Sequence, residues 1–401
     1  MNIYLSNPAL ICGAGSTAEE FYDSITTGNQ KGIKKVTTTL AGEEGAKTFF
    51  AGHIDDEKLT PTGSKYDMRF LQVMDAALNQ LQNTAEKAVS KYGAERVAVC
   101  IGQCDNGSYL SLKAHQQFFG TGSFAPDYDL KAQGADYPAT FAAEKLGVKG
   151  PALSFATACS SSATAIIKAK ELIKAGIVDA AIAGGADITS DTVLLGFNSL
   201  EAIDTEKISN PFSASRKGIT LGEGAAFFVL SKDDLENTGI LLAGSGESSD
   251  AGHMTAPLAD GTGAKQAMEQ ALKDADLKPQ QIDYINLHGT GTHLNDSMEG
   301  KGVDLVFGEY KVPVSTTKPM TGHTLGAAAA LELAACFMTI KNQKLPVQIW
   351  DGQQDPEIPQ LNIVTCPASH KPVTPEKPVK ICMSNSFAFG GCNASLIIRE
   401  V

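Results

Sequence analysis

Short apolar runs alternate with longer amphipathic stretches along most of this chain. Residues 96–102 (RVAVCIG), 179–187 (DAAIAGGAD) and 224–231 (GAAFFVLS) lack a two-residue alternation, which predicts strands buried on both faces. Residues 263–277 (GAKQAMEQALKDADL) carry apolar positions at helical spacing and run into Lys278-Pro279, predicting a helix and its end. Residues 282–292 (IDYINLHGTGT) predict a strand opening into a glycine-rich loop, and 379–400 predict two strands joined by a glycine turn. Strands and helices alternating in this way, with abundant Gly and Ala, describe an α/β protein of close-packed layers.

One strand–loop–helix order occurs twice. Residues 152–176 (ALSFATACSSSATAIIKAKELIKAG) run from a strand through small residues into an Ala-rich helix. Residues 312–340 (VPVSTTKPMTGHTLGAAAALELAACFMTI) do the same, with His323 near the place of Cys159. With 401 residues, more than one domain usually holds, the echo predicts two similar halves, 1–240 and 241–401. Ordinary recurrence of α/β units is the other reading.

The junctions of these segments hold the candidate chemistry. Cys159 sits where a strand gives way to a helix. Unpaired N–H groups and the helix dipole there favour a thiolate, and the same groups can hold an oxyanion. Ser160, Ser161 and Ser162 are small enough to admit a substrate and can satisfy first-turn donors. The opposing reading is a buried cysteine acting as a small hydrophobe. His288 lies in HGTGT (288–292) and His323 heads a second Ala-rich helix. One such histidine reads as structural. Two histidines and a cysteine at glycine-rich junctions point to a single site, because open α/β sheets bind ligands at such strand ends.

Charge and cysteine usage narrow the class. A formal charge of −12 excludes a general nucleic-acid binder. The eight cysteines show no CxxC pair and no zinc-type spacing, which predicts free thiols in a reducing compartment and no metal site. The N-terminus lacks a basic n-region, and the most apolar run, 324–340, contains Glu332 and is short for a bilayer, so a cytoplasmic protein with no membrane span is expected. GAGSTAEE (13–20) lacks the strand–GxGxxG–helix context of a nucleotide loop.

Five segments, in order, carry a resemblance: TACSSS, NPFSASRKGITLGEGAAFFVLS (210–231), HGTGT followed by ND, KPMTGHTLGAAAALE, and NSFAFGGCN. The chain resembles the elongating β-ketoacyl-acyl-carrier-protein synthases of the thiolase superfamily, from STAEEFYDSITTG (16–28) to its end. The resemblance implies a duplicated thiolase-like fold of α-β-α-β-α layers. Cys159 would take the acyl group as a thioester. His288 and His323 would stabilise the enolate formed when a malonyl thioester loses its carboxylate. Oxyanion donors would be the backbone N–H groups of Cys159 and Phe389. Lys318 would order the site beside the second histidine. Glu332 would lie behind it, costly to bury unless paired with a group such as Lys318. Thr290 and Thr292 would hold the pantetheine arm. Phe387 and Phe389 would flank the pocket, the latter as a gate, with core packing the alternative for both. No cofactor is implied: acyl groups arrive on the phosphopantetheine of an acyl carrier protein. Such carriers are acidic, so docking needs a basic patch, for which Lys65, Arg69, Arg216 and Lys217 are candidates.

Rival assignments turn on single residues. Cys392 invites a thiolase, which uses a second catalytic cysteine, but two histidines favour a synthase, and His323 stands where initiating synthases have asparagine. Cys159 separates the chain from cysteine-less scaffold subunits. Two departures concern substrate. Asp105 and Asn106 stand where synthases carry glycine and apolar residues at the far end of the acyl pocket, and Ala388 replaces a glycine of the gate loop, which restricts it. They imply a specialised enzyme of the polyketide or aryl-polyene kind, a homodimer or a heterodimer with a cysteine-less chain-length-factor-like subunit. The alternative is a fatty-acid synthase whose Asp105 pairs across an ordinary homodimer interface.

Overall fold

The apolar runs form strands in a computed structural model that describes residues 1–40, 42–63, 67–104, 107–126, 128–130 and 134–401. The first half contributes β1 (Val97–Gly102), β2 (Ala152–Phe155), β3 (Ala180–Asp187) and β4 (Gly224–Ser231). The second contributes β5 (Ile240–Ser249), β6 (Tyr284–Asn286), β7 (Pro313–Ser315), β8 (Ile381–Phe387) and β9 (Cys392–Glu400). β1 lies between β2 and β3, parallel to both, and β3 runs antiparallel to β4. β6 lies in the same way between β7 and β8, and β8 runs antiparallel to β9. Order and direction therefore repeat between the halves. β5 pairs with β9, and the short strand Tyr4–Leu5 joins β4 to β5, giving one sheet of twelve strands among the described residues.

The helices are α1 (Arg69–Tyr92), α2 (Ser108–Thr121), α3 (Tyr137–Leu146), α4 (Ser161–Lys174), α5 (Asp191–Ser199), α6 (Thr262–Ala275), α7 (His293–Phe307) and α8 (Ala328–Asn342). α1 and α3 cover the outer face of the first strand set. α4 and α8 pack together as the middle layer, and α6 and α7 cover the outer face of the second set. Every residue of β1, β3 and β4 is buried, so their unbroken apolar runs follow from covering on both sides. The helix expected over 263–277 ends earlier, where Asp276 takes a left-handed conformation (φ 53°). Leu325–Asn342 is long and apolar enough to cross a membrane, but 89% of that segment is buried inside the protein, as the central core helix.

The repeat extends to the turns ahead of the two central helices. Ala158 (φ 52°) opens the turn Ala158–Ser160 before α4, and Leu325 (φ 50°) opens Leu325–Ala327 before α8. Matching the turns pairs Cys159 with Gly326. His323 thus lies three residues ahead of the cysteine's counterpart, not at it. β2 forms one edge of the sheet, with Leu153 exposed.

Candidate active site

Cys159 is held from below by glycine. A Cβ on Gly102, at the end of β1, would lie 2.3 Å from the Ser161 backbone, so only hydrogen lets the strand pass under the turn. Ala158, with its positive φ, strains the turn by roughly 1 kcal/mol or more. The serines do not cap the helix as expected. Ser161 Oγ accepts the Thr157 N–H at 2.9 Å and donates to the Ala158 carbonyl at 2.6 Å, bracing the turn. Ser162 Oγ accepts the Ala330 N–H at 3.1 Å, tying α4 to α8. The thiol also departs from expectation. Burial pushes its pKa up to about 11, while Lys318 and the Phe389 N–H pull the other way. Desolvation of the thiolate is the largest influence on it.

His288 follows β6 on a loop pinned from α7. Glu299 accepts the N–H groups of His288 (2.7 Å) and Gly289 (2.8 Å), and Asp296 accepts those of Gly291 (3.1 Å) and Phe212 (2.8 Å). His323 is strapped to the segment before β4: its N–H meets the Thr220 carbonyl at 2.7 Å, and the Gly222 N–H meets its carbonyl at 2.9 Å. The Cys159 sulfur and one ring nitrogen of each histidine all lie within 4.8 Å of one another. The two rings stand edge to face, 5.2 Å between centroids.

Hydrogen bonds settle the tautomers. The Leu325 N–H donates to His323 Nδ1 at 3.3 Å, and Lys318 Nζ lies 3.4 Å from His288 Nδ1. An amide N–H and an ammonium only donate, so both Nδ1 atoms accept and both Nε2 atoms carry the proton. Both Nε2 atoms are buried and have no partner among the described residues. Burial and the Lys318 charge hold both histidines well below the usual range, so they are neutral near pH 7. The result is two N–H donors beside a thiol. The same trio has the spacing of metal ligands, but a metal needs a ring lone pair, and these Nδ1 contacts keep the Nε2 position protonated.

Lys318 is buried, ion-paired with Glu332, and donates to the His288 carbonyl. The lysine expected beside the second histidine therefore touches the first. Burial raises Glu332 to about 7 against the pull of Lys318. The hydroxyls of Thr290 and Thr292 lie 3.0 Å apart. The Phe387 ring stands 6.4 Å from His288. Phe389 stacks on Phe197 at 5.9 Å, and its N–H faces the Cys159 sulfur. Ala388 has ordinary extended backbone (φ −92°), while Gly390 (84°) and Gly391 (74°) hold the left-handed conformations of the loop. Cys392 opens β9 and is not part of the converging trio.

The expected docking patch needs correction. Arg216 has no exposed side-chain surface: it pairs with Asp355, donates to the carbonyls of Ser213 (2.7 Å) and His293 (3.1 Å), and lies 3.6 Å from Asp296. It braces the loops around the site and cannot meet a carrier. Arg69 is occupied by Glu223, Asp56 and the Ile54 carbonyl. Lys217 is exposed and paired with Glu206. Lys65, Asp105 and Asn106 lie outside the described residues. Sequence reasoning overlooked the loop-pinning role of Asp296 and Glu299. Their signal was two acids three residues apart in the first turns after HGTGT, where they face loop N–H groups.

Residues 9–235 match the family described as Beta-ketoacyl synthase, N-terminal domain, and residues 240–350 match Beta-ketoacyl synthase, C-terminal domain. The chain is 32% identical to 3-oxoacyl-[acyl-carrier-protein] synthase 2 of Vibrio harveyi, covering 100% of this chain and 98% of that protein. It is 34% identical to nodulation protein E of Rhizobium meliloti over 81% of this chain and 80% of the other. Among solved structures it is similar to the ketosynthase ApeO, in complex with its chain length factor ApeC, from Xenorhabdus doucetiae, with a TM-score of 0.90, 37% identity and coverage of 100% and 98%. The ishigamide ketosynthase/chain length factor gives a TM-score of 0.87 at 27% identity, covering 100% and 99%. A thiol and two N–H donors, gathered at the strand ends of a duplicated thiolase-like fold, accord with these matches, and the chain belongs to the β-ketoacyl synthase family.

Proposed function

We propose that this chain is the cysteine-bearing subunit of a specialised ketosynthase in the cytoplasm. It extends a polyketide or polyene-like acyl chain with malonyl units from an acyl carrier protein, beside a cysteine-less chain-length-factor-like subunit. The convergence of the Cys159 thiol with two buried, unpartnered Nε2–H donors carries this reading. The half comprising 1–240 supplies the nucleophile and the half comprising 241–401 the donors.

In the first step the Cys159 sulfur attacks the acyl thioester. The developing oxyanion takes the N–H groups of Cys159 and Phe389, and the carrier thiol leaves with the proton lost by Cys159. A malonyl thioester then places its carbonyl oxygen against the Nε2–H groups of His288 and His323. Loss of carbon dioxide leaves an electron pair that spreads onto this oxygen as an enolate. The enolate carbon attacks the acyl carbonyl on Cys159, forming the carbon–carbon bond and expelling Cys159 as thiolate, which solvent reprotonates. Lys318 and Glu332 hold His288 in its tautomer, Thr290 and Thr292 line the approach for the pantetheine arm, and Phe387 and Phe389 flank the acyl group. No separate cofactor enters this chemistry.

Support for the paired subunit comes from two similar ketosynthases solved with chain length factors and from β2, an edge strand with open backbone groups and an exposed Leu153. The test is a competition among carrier-bound acyl groups, run with this protein alone and with the product of a neighbouring gene. Unsaturated or polyketide-like acyl groups should be extended, and only in the pair. Efficient elongation of long saturated chains by this protein alone would overturn the specialised assignment.

A further inference from the structure

The matched turns isolate a residue that the reaction has not used. The N–H of Gly326, counterpart of Cys159, is already taken: it donates to Oδ2 of Asp187 at 2.7 Å. The same oxygen accepts the Cys104 N–H at 2.9 Å. Asp187 ends β3 and is fully buried.

These two donors come from opposite sides of the site. Gly326 follows Leu325, whose N–H fixes the His323 ring. Cys104 follows β1, and its Sγ donates to the carbonyl of Ala158, the residue before Cys159, at 3.2 Å. One carboxylate oxygen thus links the histidine segment to the turn of the nucleophile. The link is tight: a Cβ at Gly326 would lie 2.7 Å from both Asp187 Oδ2 and Gln103 Cα. A buried carboxylate is costly unless it is hydrogen-bonded, and here two backbone donors, one at the head of α8 and one just after β1, offset that cost.

We propose that Asp187 is a positioning residue for condensation. It fixes the distance between the His323 segment and the Cys159 turn, so that the carbanion formed beside His323 meets the acyl carbonyl on Cys159. This rests on the condensation chemistry above. Displacing one partner leaves each partial reaction intact and costs their junction, where a shift of about 1 Å can lower the rate by roughly a hundredfold.

The test uses the full chain with its carrier substrates and compares carbon dioxide released from the malonyl carrier with β-ketoacyl product formed. In the wild type the two should be equal. Asp187→Ala should still load acyl groups on Cys159 and still release carbon dioxide, while product falls at least about tenfold below it, because the enolate is protonated instead of trapped. Asp187→Asn, whose amide oxygen can accept both N–H groups, should restore equality. If Asp187→Ala does not fold, Gly326→Ala, which forces the same contact apart, should show the uncoupling. Equal yields in Asp187→Ala, or in Gly326→Ala where that variant replaces it, overturn the proposal. So does uncoupling in Asp187→Asn as large as in the alanine variant. A wild type that releases no carbon dioxide would instead overturn the condensation reading itself.

Discussion

In the proposed reaction, Cys159 and the two histidines divide the chemistry by protonation state. A thiol pushed up to about 11 is almost wholly protonated at pH 7, so its alkylation by iodoacetamide should quicken about tenfold per pH unit through pH 9, with no plateau near neutrality. Cys159→Ala should give no acyl adduct by intact mass; an adduct in that variant would remove Cys159 from the reaction. The histidines behave oppositely. Held well below their usual range, they stay neutral and donating, so malonyl decarboxylation should be flat between pH 6 and 8. Activity that rises as pH falls through 6.5 would mean that imidazolium is the active form. Replacing either histidine with alanine should cost condensation at least about a hundredfold while sparing acyl transfer, the usual scale for a lost oxyanion donor.

Among the elements, glycines at two loop–strand junctions separate packing from conformation. At Gly102 the backbone of the Cys159 turn fills the space a Cβ would need, and neither strand nor turn can give. Gly102→Ala should lower thermal stability by several degrees or prevent folding, at a cost of roughly 1–3 kcal/mol of overpacking. At Gly390 a Cβ would meet nothing within 4 Å, and only the positive φ resists it. Gly390→Ala should therefore keep the fold, cost about 1 kcal/mol and slow condensation by stiffening the loop that carries Phe389. Similar melting temperatures for the two variants would refute this contrast.

Across the whole molecule, the site keeps carboxyl groups where they titrate late. Burial raises Asp296 to about 6 and Glu299 to about 8, against an ordinary carboxyl value near 4. The folded state thus holds these protons after the unfolded chain has released them. Their stabilising effect is complete at low pH and is lost as pH rises to about 8. Glu223, lowered to about 2 by Arg69 and His53 against its burial, works in reverse and loses its contribution as pH falls from 4.5 to about 2. Melting temperature should decline from pH 6.5 to pH 8.5, above the range in which the two buried neutral histidines contribute the opposite slope, and Glu299→Gln should flatten the decline. An unchanged slope in that variant would show that Glu299 does not titrate late.

The sequence by itself determined the strands β1, β3 and β4, because covering on both faces demands unbroken apolar runs that no other element explains in so few residues. It also marked the three groups that converge, since a cysteine and two histidines at glycine-rich junctions survive as a pattern without coordinates. What it could not determine were quantities set by neighbours distant in the chain. The thiol pKa is set chiefly by burial, which is not legible locally. The histidine tautomers depend on a Leu325 backbone N–H, which no side chain announces, and on a lysine thirty residues from His288. Arg216 reads as a surface cation in sequence and becomes a buried brace only once Asp296 and Asp355 close around it. Periodicity and residue type are local and written in order along the chain, whereas desolvation and proton placement arise only when remote segments exclude water together.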